Sequence, residues 1–262
     1  MKIGAMNDPR CDPVAEIEWI AQHSFDFVDL TLDPPAADPP DMDVKGVRTA
    51  LDRYSLGVIA HAAYYIPISS PFRSLRQTAL HEFQRALEAA GQVGARAMTV
   101  HYYGIPPLFP PERYVEWHVE GLRPLCSQAD DMGITILLEN APGLPGQIDH
   151  IDQILKAIPN LGFHLDSGHT QVEGGVKLFD AYVERFSRRL MHVHLSENDG
   201  SRDQHLPLNS MPMPPSQIDW PARIKRLKAS GYDGTISLEV FSPDRAYLLQ
   251  SRDFLRQWWA AA

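Results

Sequence analysis

Eight short aliphatic or β-branched runs recur along the chain, each followed by a stretch of helical period, and few folds accommodate that alternation. The strand candidates are Lys2–Met6, Phe25–Leu30, Gly57–His61, Ala97–His101, Ile134–Glu139, Gly162–Asp166, Leu190–His194 and Thr235–Glu239. The helix candidates are Pro13–Gln22, Val44–Tyr54, Leu75–Val93, Glu112–Met132, Ile148–Ala157, Leu178–Arg188, Trp220–Ser230 and Ala246–Trp259. In Leu75–Val93, the residues Leu75, Ala79, Phe83, Ala86, Leu87 and Ala90 trace one face of a helix. Pro13 and Pro221 suit first turns, and Gly91, Gly94, Gly133 and Gly231 stand where helices should stop. Strands alternating with helices build parallel sheets, so eight such pairs predict an α/β chain folded as a (β/α)8 TIM barrel. The length of 262 residues fits one such barrel, which typically takes ~250. No break in composition marks a second domain, and residues 1–262 are read as one.

The ends of these strands are chemically uniform. The third to eighth end in His61, His101, Glu139, Asp166, His194 and Glu239, all metal-ligand types. Alternate strand residues face opposite sides. Thr135, Leu137 and Glu139 share one face against Ile134, Ile136 and Leu138; Thr235, Ser237 and Glu239 oppose Ile236, Leu238 and Val240. Ala97, Thr99 and His101 likewise oppose Met98 and Val100. The aliphatic face should meet the helices, which turns the terminal ligand types into the barrel mouth. Carboxylates converging there repel one another unless a cation neutralises them. Imidazole mixed with carboxylate, without Cys, points to Zn, Mn, Co or Mg. Cys11 and Cys126 fit no metal or redox spacing.

Further candidates lie beside these ends. His169 closes Asp166-Ser-Gly-His169, and Asp203-Gln-His205 forms a DxH pair in the loop after the seventh strand. His192 sits one layer deeper than His194, as a core residue or one that orients a ligand, and His164 is read as interior. His23, His81, His118 and His150 fall in or beside helices and are read as surface or packing residues.

Charge narrows the partners. Lys+Arg number 24 against 33 Asp+Glu, a net charge of -9, which argues against nucleic acid and anionic membranes. The loop after the second strand holds Asp33, Asp38, Asp41 and Asp43 before the first cation, Lys45; the loop after the seventh holds Glu197, Asp199 and Asp203 against Arg202. No apolar run reaches the ~18 residues of a membrane span. MKIGAMNDPR lacks the apolar stretch of a signal peptide, so a cytoplasmic location is expected. Twelve of the 22 prolines fall in Pro34–Pro40, Pro106–Pro111 and Pro207–Pro215, each just after a strand, where barrels carry functional loops. Trp258, Trp259, Phe72, Tyr102, Tyr103 and Phe109 suggest either a homo-oligomer contact or a substrate lid.

Taken together, LLEN (Leu137–Asn140), LDSGH (Leu165–His169), HVHLSENDGSRDQHLPL (His192–Leu208), IDW (Ile218–Trp220) and GYDGTISLEV (Gly231–Val240) resemble the xylose isomerase-like TIM-barrel superfamily. That superfamily contains sugar and sugar-phosphate isomerases and epimerases, and endonuclease IV. The resemblance to ketose 3-epimerases implies one divalent metal on Glu139, Asp166, His194 and Glu239. It implies that Glu139 and Glu239 also shuttle a proton on opposite faces of a cis-enediol. His169 matches the family's substrate-binding His, and Arg202 a polar substrate contact. Resemblance to endonuclease IV, a three-zinc phosphodiesterase, extends the ligand set to His61, His101, His169, Asp203 and His205, so one to three ions are expected. His61-Ala-Ala-Tyr64, continuing to Ser70-Pro71, is similar to that enzyme as well. The acidic loops favour a sugar-like small molecule over DNA. Asn209–Pro215 stands where the sugar isomerases carry a glycine-rich stretch, and the absence of a glycine-rich phosphate loop favours an unphosphorylated substrate.

Overall fold

The period-two runs become β1 (Lys2–Met6), β2 (Phe27–Leu32), β3 (Gly57–Ala62), β4 (Ala97–His101), β5 (Thr135–Glu139), β6 (Gly162–Asp166), β7 (Leu190–Leu195) and β8 (Thr235–Leu238). In the computed structural model, which describes residues 1–144, 146–210 and 218–262, they close in chain order into a parallel barrel. β1 pairs with both β2 and β8. The helices are α1 (Pro13–Gln22), α2 (Val44–Tyr54), α3 (Arg73–Val93), α4 (Glu112–Asp131), α5 (Gln147–Ala157), α6 (Ser167–Glu173), α7 (Gly175–Phe186), α8 (Trp220–Ala229) and α9 (Ala246–Ala261). Local chemistry sets their ends. Asp12 accepts from the backbone N–H groups of Val14 and Ala15 at the start of α1, and Asp219 accepts from Ala222 N at the start of α8. Gly94 ends α3 at φ 86°, a conformation costly for residues with a Cβ.

Two apolar regions hold the barrel. The outward strand residues, among them Val28, Leu30, Ile136, Leu138 and Ile236, pack beneath Phe83, Leu87, Ile154 and Leu255 of the helices. Inside, at the N-terminal end, Phe27, Ile59, Ala97 and Leu137 form a separate floor. Gly4 makes room for it: a Cβ there would lie 2.4 Å from the Phe27 ring.

The differences from the expected elements are local. β2 starts two residues later than expected, because Ser24 takes a left-handed φ of 58° and Phe25 N still bonds to Ile20 O of α1. β8 stops at Leu238, although Glu239 N still donates to Leu195 O at 3.1 Å. α6 lies outside the expected helices; the Asp166 side chain accepts from His169 N and starts it. Of the third proline stretch, residues 211–215 lie outside the described residues.

Candidate metal centre at the barrel mouth

Strand register sets the heights of the mouth residues. His101 pairs with Glu139, and Asp166 with His194. Glu139, Asp166 and His194 are fully buried, while Glu239 keeps 9% exposure. These four each present a ligand atom, all within 4.8 Å of one another. His194 Nδ1 lies 3.0 Å from Glu239 Oε2, 3.9 Å from Asp166 Oδ2 and 4.0 Å from Glu139 Oε1.

The donor chemistry fits a divalent cation. Both carboxylate oxygens of Glu139, and Asp166 Oδ2, are buried without a hydrogen-bond partner among the described residues. Unpaired buried acceptors are costly. Asp166 divides its oxygens: Oδ1 accepts from His169 N at 2.6 Å, which leaves Oδ2 for the centre. Burial first, and then the charges of Glu239 and Glu139, push the Asp166 carboxyl up to about 7. Burial likewise raises Glu139 despite three nearby imidazoles. A bound cation would relieve that crowding.

Other expected residues surround the four. His61 Nε2 and His101 Nε2 lie 3.6 and 3.2 Å from Glu139 Oε2, and His61, His101 and Glu139 form a second possible ligand group. His169 Nε2 lies 3.2 Å from Asp203 Oδ2, which also meets His205 Nε2 at 2.9 Å. His205 Nδ1 is 3.6 Å from Glu239 Oε2. Eight of the expected residues therefore form one connected network with Glu239. Arg202 stands apart: it is exposed, and its charge acts on Asp199.

Several residues take roles the sequence did not suggest. Asp29 of β2, fully buried, accepts from His192 Nε2 at 2.9 Å, His194 Nε2 at 2.7 Å and Ser237 Oγ at 2.8 Å. His164, read as interior, is so, yet its Nδ1 reaches Glu139 Oε2 at 3.3 Å and Thr99 Oγ1 at 3.0 Å. Asn140 joins β5 to β6 by accepting from Asp166 N at 2.9 Å and donating to Asp166 O at 3.1 Å. Its carbonyl lies 2.6 Å from His169 Nδ1. The glycine of Asp166-Ser-Gly-His169 is required sterically, since a Cβ at Gly168 would meet Ser196 Oγ at 2.5 Å.

Three of the acidic loop residues do not face the mouth. Glu197 is fully buried and accepts from the indole N–H of Trp220 at 3.0 Å. Asp43 caps α2, and Asp38 lies 3.8 Å from Arg85. These carboxylates organise loops rather than charge the mouth. Among the aromatics, Tyr102 is buried and stacked on His118 with centroids 4.5 Å apart, and Phe109 packs on Trp117. Trp258 stacks on Phe254 and Trp220, whereas Phe72 stays exposed. Exposed Tyr64 and Phe241 stand beside His101 and His205, at centroid distances of 6.1 and 4.8 Å.

The fold and this centre define a class. The xylose isomerase-like TIM barrel family model matches residues 17–258, and the chain belongs to that family. It is 28% identical over 236 residues to an uncharacterized protein of Methanocaldococcus jannaschii, covering 86% of this chain and 78% of that one. It is 21% identical over 248 residues to fructoselysine 3-epimerase of Escherichia coli O157:H7, covering 89% and 86%. The crystal structure of a D-tagatose 3-epimerase-like protein superposes with a TM-score of 0.84 at 25% identity, covering 100% of this chain and 98% of that one. No helix among the described residues is long and apolar enough to cross a membrane.

Proposed function

We propose that this protein is a divalent-metal-dependent isomerase or epimerase of a small ketose or related keto compound, working in the cytoplasm as a single-domain barrel. The observation that carries the reading is the convergence of Glu139, Asp166, His194 and Glu239 within 4.8 Å at the mouth, with carboxylate oxygens left unpaired. Similarity to fructoselysine 3-epimerase and to a D-tagatose 3-epimerase-like protein supports the same chemistry.

Glu139, Asp166, His194 and Glu239 would hold the ion. When bound there, Mn, Zn, Co or Mg would supply Lewis-acid polarisation of the substrate carbonyl and stabilisation of the charge developing on its oxygen. One glutamate, Glu139 or Glu239, takes the proton from the carbon beside the carbonyl, giving a cis-enediol. The other returns a proton to the opposite face, which inverts that carbon. Glu139 on β5 and Glu239 beyond β8 approach the centre from different sides of the barrel. His169, whose Nδ1–H is given to Asn140 O, would turn its Nε2 from Asp203 Oδ2, 3.2 Å away, to a substrate hydroxyl. Arg202 supplies a further polar contact when the loop after β7 meets substrate.

A second reading rests on a specific observation: His61, His101, His169, Asp203 and His205 join the same network. That set suits two or three ions and an endonuclease IV-type phosphodiester hydrolase. The net charge of -9 favours the sugar reading. Incubating the metal-loaded protein with a ketose panel in D2O, and separately with an abasic-site oligonucleotide, decides between them. The epimerase reading expects deuterium at the carbon beside the carbonyl and no strand cleavage. Cleavage without C–H exchange would establish the hydrolase instead.

A further inference from the structure

Beneath the mouth lies a buried polar layer in which one carboxylate serves three strands. Asp29 Oδ2 receives His192 Nε2 and His194 Nε2 of β7 and Ser237 Oγ of β8, at 2.9, 2.7 and 2.8 Å. Its Oδ1 faces His61 Nδ1 of β3 at 3.7 Å. His192 cannot easily turn away, because its Nδ1 is held by Thr235 Oγ1 at 2.8 Å. His194 is thereby gripped at one nitrogen while the other, Nδ1, looks into the cluster of Glu139, Asp166 and Glu239.

We infer that Asp29 is a positioning residue: by accepting the Nε2–H of His194 it fixes the ring and its tautomer, so that the Nδ1 lone pair is the one offered to the cation. A neutral imidazole has one protonated and one bare nitrogen, and the hydrogen bond made by the first decides where the second points. Without that acceptor, His194 can rotate or place its proton on Nδ1, and either change withdraws a donor from the centre. Three donors converge on Oδ2, and a carboxylate oxygen meets them only as an acceptor. Ser237 and His192 fill the same oxygen and fix its place between β2, β7 and β8.

The inference rests on the metal-centre reading, and the experiment separates the two. Metal-free wild type, Asp29→Asn and Ser237→Ala are titrated with Co2+ while the visible spectrum is recorded, with circular dichroism checking the fold of each. A neutral amide oxygen is a weaker acceptor than a carboxylate oxygen, and the amide NH2 cannot accept at all, so the three donors now on Asp29 Oδ2 are held less tightly. Asp29→Asn should therefore weaken Co2+ binding by ~10–100-fold and shift its spectrum. Ser237→Ala, which leaves both imidazole bonds in place, should keep an affinity and spectrum near wild type. A folded Asp29→Asn variant with wild-type affinity and spectrum overturns the role of Asp29 alone. Failure of wild type to bind Co2+ overturns the metal centre itself. If Asp29→Asn does not fold, long-range 1H–15N spectra of the histidines in zinc-loaded wild type give the answer. Nε2–H on His194, with a hydrogen-bonded proton shift, is expected; Nδ1–H there overturns the inference.

Discussion

The floor and the mouth of this barrel are built on the same strands, two residues apart, and they answer opposite demands. Phe27, Ile59, Ala97 and Leu137 fill the floor with apolar surface that is buried and has nothing left to pair. Two positions further along stand Asp29, His61, Thr99 and Glu139, equally removed from water but polar. The period of two keeps both sets pointing inward, so side-chain chemistry alone separates a plug from a reactive centre. The polar group divides again by height. Asp29 Oδ2 and both nitrogens of His192 are held by bonds within the protein, whereas Glu139 Oε1 and Oε2, Asp166 Oδ2 and Asp29 Oδ1 have no such partner among the described residues. Each unpaired buried acceptor costs about 1–3 kcal/mol. The mouth therefore gives up stability that a bound cation would restore.

The sharpest way to break the comparison is to alter the mouth without touching the floor. Glu139→Gln or Glu239→Gln should lower turnover on an identified ketose by ~10²–10⁴, because an amide cannot take the substrate proton. Metal content should fall less, since the amide oxygen still coordinates; equal losses of metal and rate would reduce the glutamates to ligands. The converse change is Leu137→Ala in the floor. It should cost ~2–5 kcal/mol in urea unfolding, as large-to-small core changes do, while the folded molecules keep wild-type metal affinity. Lost affinity there would show that the two layers are not separable.

A smaller effect probes a buried polar group outside both layers. His118 accepts from Tyr103 N at 3.0 Å and bonds the Tyr114 carbonyl through Nδ1. Burial lowers its pKa to about 4, against ~6.5 in an unfolded chain. The fold thus favours the neutral ring. Its contribution is intact above about pH 6.5 and is lost as the pH falls toward 4, because the unfolded chain gains the proton first. Between pH 7.5 and 4.5 that loss should be about 2–3 kcal/mol. Urea unfolding of wild type and His118→Asn at both pH values checks it: the variant should show the weaker acid dependence, and parallel slopes would refute the assignment. Smallest is Asp12→Ala, which removes the cap of α1. It should cost about 1 kcal/mol in thermal unfolding and leave metal binding unchanged.

Much of the fold was legible because it repeats. Eight alternations, with glycines and prolines at helix ends, leave little beside a barrel, and strand parity turned Glu139, Asp166 and His194 inward as expected. Asp29 was not legible, since it lies inside β2 rather than at a strand end and finds its partners 163 and 165 residues away. The even inward spacing of Phe27 and Asp29 was the available signal. Glu197 misled for a related reason: a carboxylate among loop residues reads as exposed until Trp220, 23 residues on, supplies its donor. α6 escaped because its seven residues are too few for a helical period, and its start depends on the carboxylate already assigned to the centre.

The measurement closest to the central claim is equilibrium uptake of a divalent cation by metal-free protein, wild type beside Asp166→Ala, by calorimetry with Mn2+. The account predicts saturable uptake by wild type and none, or far weaker uptake, by a variant that circular dichroism shows to be folded. Full wild-type stoichiometry in Asp166→Ala, or no uptake by wild type, would contradict it.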